Sequence, residues 1–467
     1  MSLIATSSQQ KVVIGLGATG KSVVRYLLRH GHTPVVVDSR EKPSGLDAFY
    51  KEYPQVPVET GALRPDTLLA ASLIIASPGV ALAEPVLQQA VAEGIPVIGD
   101  IELFAQALIR EKSTAKLVAI TGSNGKSTVT TLLGKMAEAA GVDVRVGGNI
   151  GVPVLDLLQK PLPQLFVLEL SSFQLETTYS LAATVATILN MSADHMDRYP
   201  SMVEYHRAKQ RVYRGAEQFV VNRADPLTQG PLSRERREWT FGLDQPDLNQ
   251  FGVRIVDGQG WLVQGTERLL PIEAMAMVGK HNVANALAAL ALGNAVELPM
   301  QAMLGVLKTF RGLPHRCERV ADLDGVIYVN DSKGTNVGAT QAALDGLATE
   351  SRKIVLIAGG DGKGADFSAL SSSVNTLRAM VSIGADGDKV AQSFADECEI
   401  CRAESMVDAV AQARRLAHNG DYVLLSPACA SFDMYRNFEA RGDDFRNSVL
   451  ALCEAGGPDE RTPGTFK

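Results

Sequence analysis

The residues with the clearest chemical potential lie in a glycine-rich loop at residues 121–128. Residues 118–133 read VAITGSNGKSTVTTLL, where β-forming residues give way to small ones and then to Lys126 and Ser127. Small residues let the backbone curl, so that N–H groups and the dipole of the following helix face one anion. Lys126 is placed to add a charge at the β- and γ-phosphates, and Ser127 to ligate magnesium. The predicted contacts to a nucleoside triphosphate are Thr121, Gly122, Ser123, Asn124, Gly125, Lys126, Ser127 and Thr128.

The spacing of this loop departs from the usual G-x-x-x-x-G-K-[ST], because Ile120 stands where the first glycine belongs. A mere glycine-rich turn is the alternative. The strand, the lysine, the hydroxyl and the helix pattern all stand in order, which favours a phosphate site.

A second glycine-rich loop lies near the amino terminus. Gly15, Gly17 and Gly20 match G-x-G-x-x-G between a strand and a helix, and Asp38 closes the next strand. This is the dinucleotide-binding fingerprint, and alone it favours an NAD-dependent oxidoreductase. A dehydrogenase, however, has no use for a Lys–Ser loop that binds a γ-phosphate. Two diphosphate sites in one chain suggest one nucleotide as fuel and another as part of the substrate.

Acidic residues follow two further predicted strands. Glu169 ends the strand in VLELSSFQLE, and a carboxylate at that end can hold magnesium directly or through water. A solvated loop acid is the alternative. Asp194, His195 and Asp197 follow the next strand, where His195 is either a structural histidine or a ligand or substrate contact.

Three residues of SMVEYHRAKQRVYRG recur at four-residue spacing. Tyr205, Lys209 and Tyr213 would share one face of a helix. The pattern alone favours a lysine that lies between aromatic rings and extends its amine to solvent.

The last third of the chain carries polar residues after three predicted strands. Because the carboxyl ends of parallel strands share one sheet edge, these residues predict a cationic crevice for a carboxylated small molecule. Each group alone could be solvated surface. The residues are Asp331, Lys333, Thr335 and Asn336, then Asp361 and Lys363, then Ser426, Ser431 and Phe432.

Composition limits the class of protein. The 467 residues are 46% apolar with a net charge of −7, which predicts two to four globular domains and no broad nucleic-acid surface. No apolar run is long enough for a membrane span, and the first ten residues do not resemble a secretory signal. Five cysteines fit a reducing cytoplasm. We therefore expect a cytoplasmic protein.

The strand pattern predicts an α/β fold. Short apolar runs such as KVVIGL, KLVAITG, LFVLELSS and KIVLIAGG alternate with helical patterns, as buried parallel strands do. Residues 241–273 alternate around glycine turns and are predicted to be antiparallel.

In combination, the motifs resemble those of the Mur ligases, from about residue 11 to 450. The motifs are TGSNGKST, GGNIG, LELSSFQLE, HMDRY, GKHNVANALAA, LPHRCE, NDSKGTN, GGDGK and SPACASFD. The resemblance implies a Rossmann-like domain for a UDP-substrate at 1–104, a P-loop ATPase domain at 105–312 and a Rossmann-like C-terminal domain at 313–467. It also implies a monomer that uses ATP and two Mg²⁺ ions to add D-glutamate to UDP-N-acetylmuramoyl-L-alanine through an acyl phosphate.

The resemblance also assigns roles to residues. For the UDP-substrate it implies Gly17, Thr19, Asp38, Ser39, Arg40, Ser77, Gly79 and Asn149. To the ATP contacts it adds Asn282, Asn285, Arg316 and Asp331, and for D-glutamate it implies Lys333, Thr335, Lys363, Ser431, Phe432 and Phe438. The implied metal ligands are Ser127, Glu169, His195 and Lys209, the last as a carbamate, and the implied catalytic residues are Lys126, Glu169, His195 and Lys209.

One departure from the family pattern concerns a glycine. Gly334 in NDSKGTN stands where the family usually has alanine, which predicts a looser loop. The rival from another class is a nucleotide-dependent binding or switch protein. It would hydrolyse ATP without forming an amide and would not need the cationic crevice.

Overall fold

Three sheets carry the strands in a computed structural model that describes residues 10–231, 237–248, 250–277, 279–347, 352–394 and 397–455. Two compact units contain them. The first unit comprises Met1–Met191, Val203–Ile272 and Asn285–Lys308, and the second comprises Ser192–Met202, Glu273–Ala284 and Thr309–Lys467. The first and second sheets lie in the first unit and the third in the second unit. The predicted α/β class is confirmed.

The N-terminal sheet is parallel throughout, in the order β3-β2-β1-β4-β5. The strand order reverses between β1 and β4, and in open α/β sheets ligands bind outside the strands at such a point. Its elements are β1 (Lys11–Ile14), α1 (Ala18–Arg29), β2 (Val35–Asp38), α2 (Leu46–Glu52), β3 (Val58–Thr60), α3 (Pro65–Leu69), β4 (Leu73–Ala76), α4 (Pro85–Ala92), β5 (Val97–Ile98) and α5 (Asp100–Arg110).

The central sheet has the order β14-β13-β12-β11-β10-β9-β6-β8-β7. Strands β12, β13 and β14 pair antiparallel, which confirms the prediction for residues 241–273. The elements are β6 (Lys116–Thr121), α6 (Lys126–Ala139), β7 (Val144–Gly148), β8 (Leu165–Glu169), α7 (Ser172–Glu176), β9 (Val185–Ile188), α8 (Met202–Gln210), β10 (Gln218–Asn222), β11 (Arg237–Phe241), β12 (Phe251–Val256), β13 (Gln259–Gln264), β14 (Glu267–Pro271), α9 (Lys280–Ala295) and α10 (Met300–Leu307).

Burial explains why the central strands are apolar on both faces. Residues 118–120 of β6 and 166–168 of β8 are fully buried, because helices cover both faces of a parallel sheet. Strand β6 pairs with β8 on one side and with β9 on the other, all in parallel. The carboxyl ends of these strands therefore bring the loop at 121–128, Glu169 and the residues after Ile188 to one edge.

The C-terminal sheet has the order β15-β16-β20-β17-β18-β19, with β15 alone antiparallel to its neighbour. The last strand, β20, lies between β16 and β17, so the loops after these three strands share one sheet edge. The elements are β15 (Glu318–Leu323), β16 (Val326–Asn330), α11 (Val337–Leu347), β17 (Ile354–Ala358), β18 (Leu377–Ile383), α12 (Gly387–Gln392), β19 (Glu399–Ala403), α13 (Met406–Leu416), β20 (Tyr422–Leu425) and α14 (Phe438–Ala455).

Helix α5 connects the two sheets of the first unit. The buried carboxylate of Glu102 accepts hydrogen bonds from the backbone N–H groups of Tyr179 (2.7 Å) and Ser180 (2.9 Å) and from the Ser180 hydroxyl (2.7 Å). Phe104 packs edge-on against Phe166 of β8, with ring centroids 5.1 Å apart. The predicted boundary at 104/105 falls inside this helix. Among the residues that the structure describes, no helix is both long and apolar enough to cross a membrane.

Candidate functional site

The N-terminal glycine loop lies at the point where the sheet order reverses. Gly15 has φ +99°, and a Cβ there would lie 2.8 Å from Ser77 Oγ at the end of β4. A Cβ at Gly20 would lie 1.8 Å from the Gly15 carbonyl oxygen, so the loop packs against α1 without room for a side chain. Gly17 is the N-cap of that helix, and Ser77 Oγ is buried without a hydrogen-bond partner in the described part of the chain.

Asp38, the acid of the dinucleotide fingerprint, is bonded within the protein. It accepts the backbone N–H groups of Leu16 (2.8 Å) and Arg40 (3.0 Å) and two guanidinium bonds from Arg40 (2.8 and 2.7 Å). The Arg40 bonds, chiefly, lower the pKa of Asp38 to about 2. Four donors fill the usual acceptor positions of a carboxylate. Asp38 therefore fixes Arg40, whose side chain is 55% exposed, and offers little to a ribose hydroxyl.

Residues 15–22 also satisfy the spacing G-x-x-x-x-G-K-S, which the sequence reasoning missed. Helix α1 begins at Ala18, so Lys21 and Ser22 lie about one turn inside it, and Ser22 is 1% exposed. In the central loop, Gly125 (φ +81°) is the N-cap and Lys126 is the first helical residue. The central loop thus places its lysine where a phosphate-binding helix needs it, and the N-terminal loop does not.

The central loop is held by its own lysine. Lys126 Nζ donates to the carbonyls of Gly122 and Ser123, both at 2.8 Å. A Cβ at Gly125 would lie 2.5 Å from Asn285 Oδ1, so this predicted ATP residue packs directly on the loop. Of the other predicted ATP contacts, Asn282, Arg316 and Asp331 belong to the second unit.

Glu169 lies at the end of β8, and its two carboxylate oxygens differ in their hydrogen bonding. Its Oε1 accepts the side-chain amide of Asn149 at 2.8 Å, and its backbone carbonyl accepts the Asn149 N–H, also at 2.8 Å. Within the described residues, Oε2 is buried and has no hydrogen-bond partner. A buried carboxylate oxygen without a donor is costly unless a cation is bound, and a hard oxygen ligand suits magnesium. Glu169 therefore fits the predicted metal role.

Lys209 is 1% exposed, so the interpretation that it extends its amine to solvent is wrong. Its Nζ lies 2.8 Å from the Gly122 carbonyl, 3.4 Å from Thr121 Oγ1 and 4.7 Å from the centre of the Tyr205 ring. The Tyr205 hydroxyl in turn lies 3.3 Å from Ser123 Oγ. Tyr205 and Lys209 are thus directed at the central loop, whereas Tyr213 lies beyond the end of α8, and its hydroxyl accepts the Ile188 N–H and donates to the Thr228 carbonyl.

The predicted metal ligands are distributed over both units. Ser127, Glu169 and Lys209 lie in the first unit and His195 in the second. Among the described residues, no group of three or more His, Cys, Asp and Glu side chains could hold a metal ion. The predicted set contains one carboxylate and one imidazole, so a metal here would also need the hydroxyl and a modified lysine.

In the second unit, Asp194 bonds to the predicted glutamate-binding residue Lys363. The two form an ion pair at 2.9 Å, and Asp194 also accepts the side-chain amide of Asn336 at 3.1 Å. His195 follows with φ +58°, and Lys363 has φ +50°. Both loops therefore adopt a left-handed backbone conformation at a predicted site residue. Asn336 was among the residues of the predicted crevice, whereas Asp194 was noted only as a neighbour of His195.

Asp331 connects the loops after β16 and β20. It accepts the Ser426 hydroxyl at 2.7 Å and the Cys317 N–H at 3.1 Å, and burial raises its pKa to about 6. A Cβ at Gly334 would lie 2.6 Å from both Asp331 Oδ2 and Ser426 Oγ. Glycine at this position therefore packs the loop closely, whereas the sequence predicted a looser one.

Arg441 is a buried cation that no sequence motif indicated. Its guanidinium donates to the hydroxyl and carbonyl of Ser332 (3.0 and 2.8 Å) and to the carbonyls of Cys429 (3.1 Å) and Ala430 (3.2 Å). A Cβ at Gly360 would lie 3.3 Å from Arg441 Nη1. Burial lowers its pKa to about 10. One side chain thus joins the loops after β16 and β20, and it leaves little room for a side chain at Gly360 in the loop after β17.

The remaining predicted glutamate contacts lie on these loops. Lys333 Nζ lies 4.1 Å from the centre of the Phe438 ring, and the Lys333 carbonyl accepts the Thr335 N–H at 2.7 Å. Ser431 is 4% exposed, whereas Phe432 is 73% exposed. An apolar ring so exposed beside buried polar groups is suited to covering a ligand.

Three family models match the chain in order. The Mur ligase MurD-like N-terminal domain matches residues 9–99, the Mur ligase middle domain residues 120–293, and the Mur ligase glutamate ligase domain residues 315–429.

Relatives match over nearly the whole chain. UDP-N-acetylmuramoylalanine--D-glutamate ligases of Pseudomonas fluorescens strain Pf0-1 and Pseudomonas aeruginosa are each 52% identical over 97% of this chain and 100% of the relative. Among solved structures, a pseudomurein peptide ligase type C from Methanothermus fervidus has a TM-score of 0.59 and 18% identity, covering 95% of this chain and 100% of that one. UDP-N-acetylmuramate-alanine ligase MurC from Thermotoga maritima has a TM-score of 0.57 and 19% identity, covering 95% and 99%. The structural likenesses support the fold.

Proposed function

The chain belongs to the Mur ligase family, and on that premise we propose that it joins D-glutamate to UDP-N-acetylmuramoyl-L-alanine at the expense of ATP. It is an ATP-dependent, ADP-forming ligase of peptidoglycan precursor synthesis. The identity of 52% over nearly the full length with relatives of that name carries the choice of amino acid and acceptor.

The arrangement that supports ATP as the fuel is the central loop beside a buried carboxylate. Lys126 Nζ is bonded to carbonyls of its own loop, and the same amine would serve phosphate oxygens when ATP is bound. Glu169 Oε2 lies buried at the end of the strand that pairs with β6, without a partner in the described part of the chain. A phosphate-binding helix start and a carboxylate with a vacant oxygen are what an ATP–magnesium site requires.

Magnesium would be held by Ser127, Glu169, His195 and a carbamylated Lys209, with two ions bound. Bound magnesium would offset negative charge on the transferred phosphoryl group. A carbamate would turn the buried amine of Lys209, 2.8 Å from the Gly122 carbonyl, into an anionic oxygen ligand. Burial favours the neutral amine, which is the form that can become a carbamate, because it penalises an ammonium group; the bound magnesium would then offset the negative charge of the carbamate.

The first chemical step activates a carboxylate. An oxygen of the terminal L-alanine carboxylate forms a bond to the γ-phosphorus, while the bond from that phosphorus to the bridging oxygen of ADP breaks. The products are an acyl phosphate and ADP. Lys126 and Arg316 would stabilise the charge that gathers on the phosphoryl oxygens, which is mainly electrostatic catalysis.

The second step forms the amide. The neutral amine of D-glutamate attacks the acyl carbon, and the tetrahedral intermediate breaks its bond to inorganic phosphate, which leaves with the proton that the nitrogen loses. Lys333 and Lys363 would hold the two carboxylates of D-glutamate, with Thr335 and Ser431 as hydrogen-bond partners and Phe432 and Phe438 as apolar cover. A glutamate dianion calls for two cations, and the described loops present two lysines.

The N-terminal loop would bind the UDP moiety. Gly17 and Thr19 lie at the start of α1, where an anion is favoured, and Ser77 Oγ is buried with no partner among the described residues. Arg40, Ser39, Gly79 and Asn149 would complete the contacts. Asp38 would act by holding Arg40, because its own acceptor positions are filled. The same observation weighs against NAD, which needs an acid with vacant acceptors for its ribose.

Phosphate release tests the proposal directly. Purified protein would receive ATP, Mg²⁺ and UDP-N-acetylmuramoyl-L-alanine, with D-glutamate, L-glutamate or meso-diaminopimelate. We expect phosphate release and an amide product with D-glutamate and little of either with the others. ATP consumption that ignores the amino acid would favour the switch protein, and a change at the nicotinamide absorbance band would favour a dehydrogenase. We also propose a cytoplasmic monomer, which size-exclusion chromatography with light scattering would test.

A further inference from the structure

We propose that Asn190 is a positioning residue for the central loop and sets the geometry in which that loop receives the nucleotide phosphates. Asn190 is the second residue after β9 and lies at the same edge of the sheet as the loop. The proposal rests on the proposed function, because it takes ATP as the ligand of the loop.

Three hydrogen bonds join Asn190 to two consecutive residues of the loop. Its backbone carbonyl accepts the Ser123 N–H at 2.9 Å. Its side-chain Oδ1 accepts the Asn124 N–H at 2.8 Å, and its Nδ2 donates to the Asn124 carbonyl at 3.1 Å. The side-chain amide and the Asn124 backbone therefore form a closed two-bond pair.

This pair extends the ladder between β6 and β9 beyond the strands. Thr121 is the last residue of β6 and lies opposite Ile188, and the Leu189 N–H donates to the Thr121 carbonyl at 2.9 Å. Beyond that point, the side-chain amide of Asn190 takes the place of a backbone peptide group. It offers one acceptor and one donor to Asn124, as the next residue of a neighbouring strand would. The loop backbone is held as far as Asn124 and turns at Gly125, whose φ is +81°.

The consequence concerns which N–H groups face an anion. The amides of Ser123 and Asn124 are directed at Asn190. The backbone N–H groups that we expect to face the phosphates are therefore those of the turn at Gly125 and of the first turn of α6, which begins at Lys126. Holding Asn124 fixes where that turn starts, and therefore the direction in which the helix N-terminus points.

The chemistry of the pair requires asparagine. An aspartate could accept the Asn124 N–H but would turn its second oxygen toward the Asn124 carbonyl. A leucine has a similar shape and neither hydrogen bond, and a glutamine is one methylene longer. Asn190→Leu and Asn190→Asp therefore remove the pairing while changing little volume.

The experiment compares ATP kinetics with nucleotide binding. Because misplacing a catalytic loop by about 1 Å can cost about 100-fold, we expect both variants to lower kcat/KM for ATP by about 10- to 100-fold. KM for UDP-N-acetylmuramoyl-L-alanine and for D-glutamate should stay within about 2-fold of wild type, since the loop does not bind them. Calorimetry with ADP and Mg²⁺ should show a weaker Kd without any turnover.

Asn222→Leu is the matched control. The Asn222 side chain donates to the Leu189 carbonyl at 3.0 Å and accepts the Ala224 N–H at 3.0 Å, so it holds the end of β9 without contacting the loop. We expect this variant to keep its ATP kinetics. Wild-type ATP kinetics and ADP affinity in Asn190→Leu would overturn the proposal. The proposal would also be overturned if Asn190→Leu and Asn222→Leu lost ATP kinetics and ADP affinity equally and in proportion to their decrease in Tm. The role of Asn190 would then be structural.

The two proposals fail separately. If the wild-type protein released no phosphate with D-glutamate, the proposed function would fail. The comparison of ADP affinity between Asn190→Leu and Asn222→Leu would still decide the role of Asn190.

Discussion

The side-chain amide of Asn149 donates to one oxygen of Glu169 at 2.8 Å, while the other oxygen is buried without a partner in the described residues. The amide fixes the rotation of the carboxylate, so the unbonded oxygen keeps one direction. A metal ligand is commonly oriented in this way by an outer hydrogen bond.

Replacing that carboxylate should weaken magnesium binding at the proposed site. In Glu169→Gln we expect the Mg²⁺ concentration for half-maximal activity to rise by at least about 10-fold, because an amide is a poorer ligand than a carboxylate. Phosphate release measured across a Mg²⁺ titration checks this. Glu138→Gln on the exposed face of α6 is the control and should leave the titration unchanged. An unchanged titration in Glu169→Gln would remove Glu169 from the metal site.

Removing the loop lysine should affect the chemical step. Lys126→Ala should lower kcat by about 10²- to 10³-fold, the loss typical of one preorganised donor. Lys21→Ala is the matched control, since Lys21 has the same spacing in the N-terminal loop but lies inside α1. We expect it to keep its kcat and its KM for ATP. Wild-type turnover in Lys126→Ala would contradict the assigned role.

Asp331 should make the stability depend on pH in a particular direction. Its pKa is raised from 3.8 to about 6, so the folded state binds its proton more tightly than the unfolded state does. The stabilisation from the protonated carboxyl is therefore complete below about pH 4 and is lost as the pH rises toward 6 and above. Asp331→Asn cannot ionise, so its Tm should depend less on pH between 4 and 7.

Asp38→Asn provides the comparison for that experiment. The pKa of Asp38 is about 2, so this carboxylate stays ionised from pH 4 to 7. Its replacement should lower the Tm by a nearly constant amount over that range. Parallel Tm profiles for wild type and Asp331→Asn would show that the raised pKa of Asp331 does not govern stability.

The contact between the two sheets of the first unit should depend on Glu102. Its carboxylate accepts four hydrogen bonds, the fourth from Gln106 at 2.9 Å, and its pKa is lowered by them despite burial. Glu102→Gln should lower the free energy of unfolding by about 1–3 kcal/mol, because hydrogen bonds to a charged group are lost. Urea denaturation checks this, with Glu93→Gln on the exposed surface as the control. A change within about 0.5 kcal/mol would show that the neutral amide replaces the carboxylate fully.

The strands and loops of the nucleotide sites could be predicted from the sequence because the signals are local. A buried parallel strand needs a short apolar run, and a phosphate loop needs glycines and a lysine at a helix start. Strands β1, β6, β8 and β17 fall where the apolar runs predicted them. The antiparallel extension from β12 to β14 could be predicted for the same reason, since alternation and glycine turns are properties of neighbouring residues.

The tertiary structure decided what the individual side chains meet. Lys209 had the pattern of a solvent-exposed lysine, yet it is buried against Gly122, which lies 87 residues earlier in the chain. Arg441 had no pattern at all, and its guanidinium donates hydrogen bonds to loops that follow two different strands, β16 and β20. Asn190 pairs with Asn124 because β9 lies beside β6, and strand order is not encoded in any one segment.

The sequence by itself thus determined the class of fold, the two glycine loops and, through its motifs, the family. The fold alone decided which donors and acceptors form hydrogen bonds with one another. Four donors occupy the acceptor positions of Asp38, whereas a single side-chain donor reaches Glu169 and leaves its Oε2 without a partner among the described residues. The physical reason is the distance along the chain over which each property is determined. Backbone conformation follows from near neighbours, whereas burial and hydrogen bonding of a side chain depend on segments that meet only when the chain has folded.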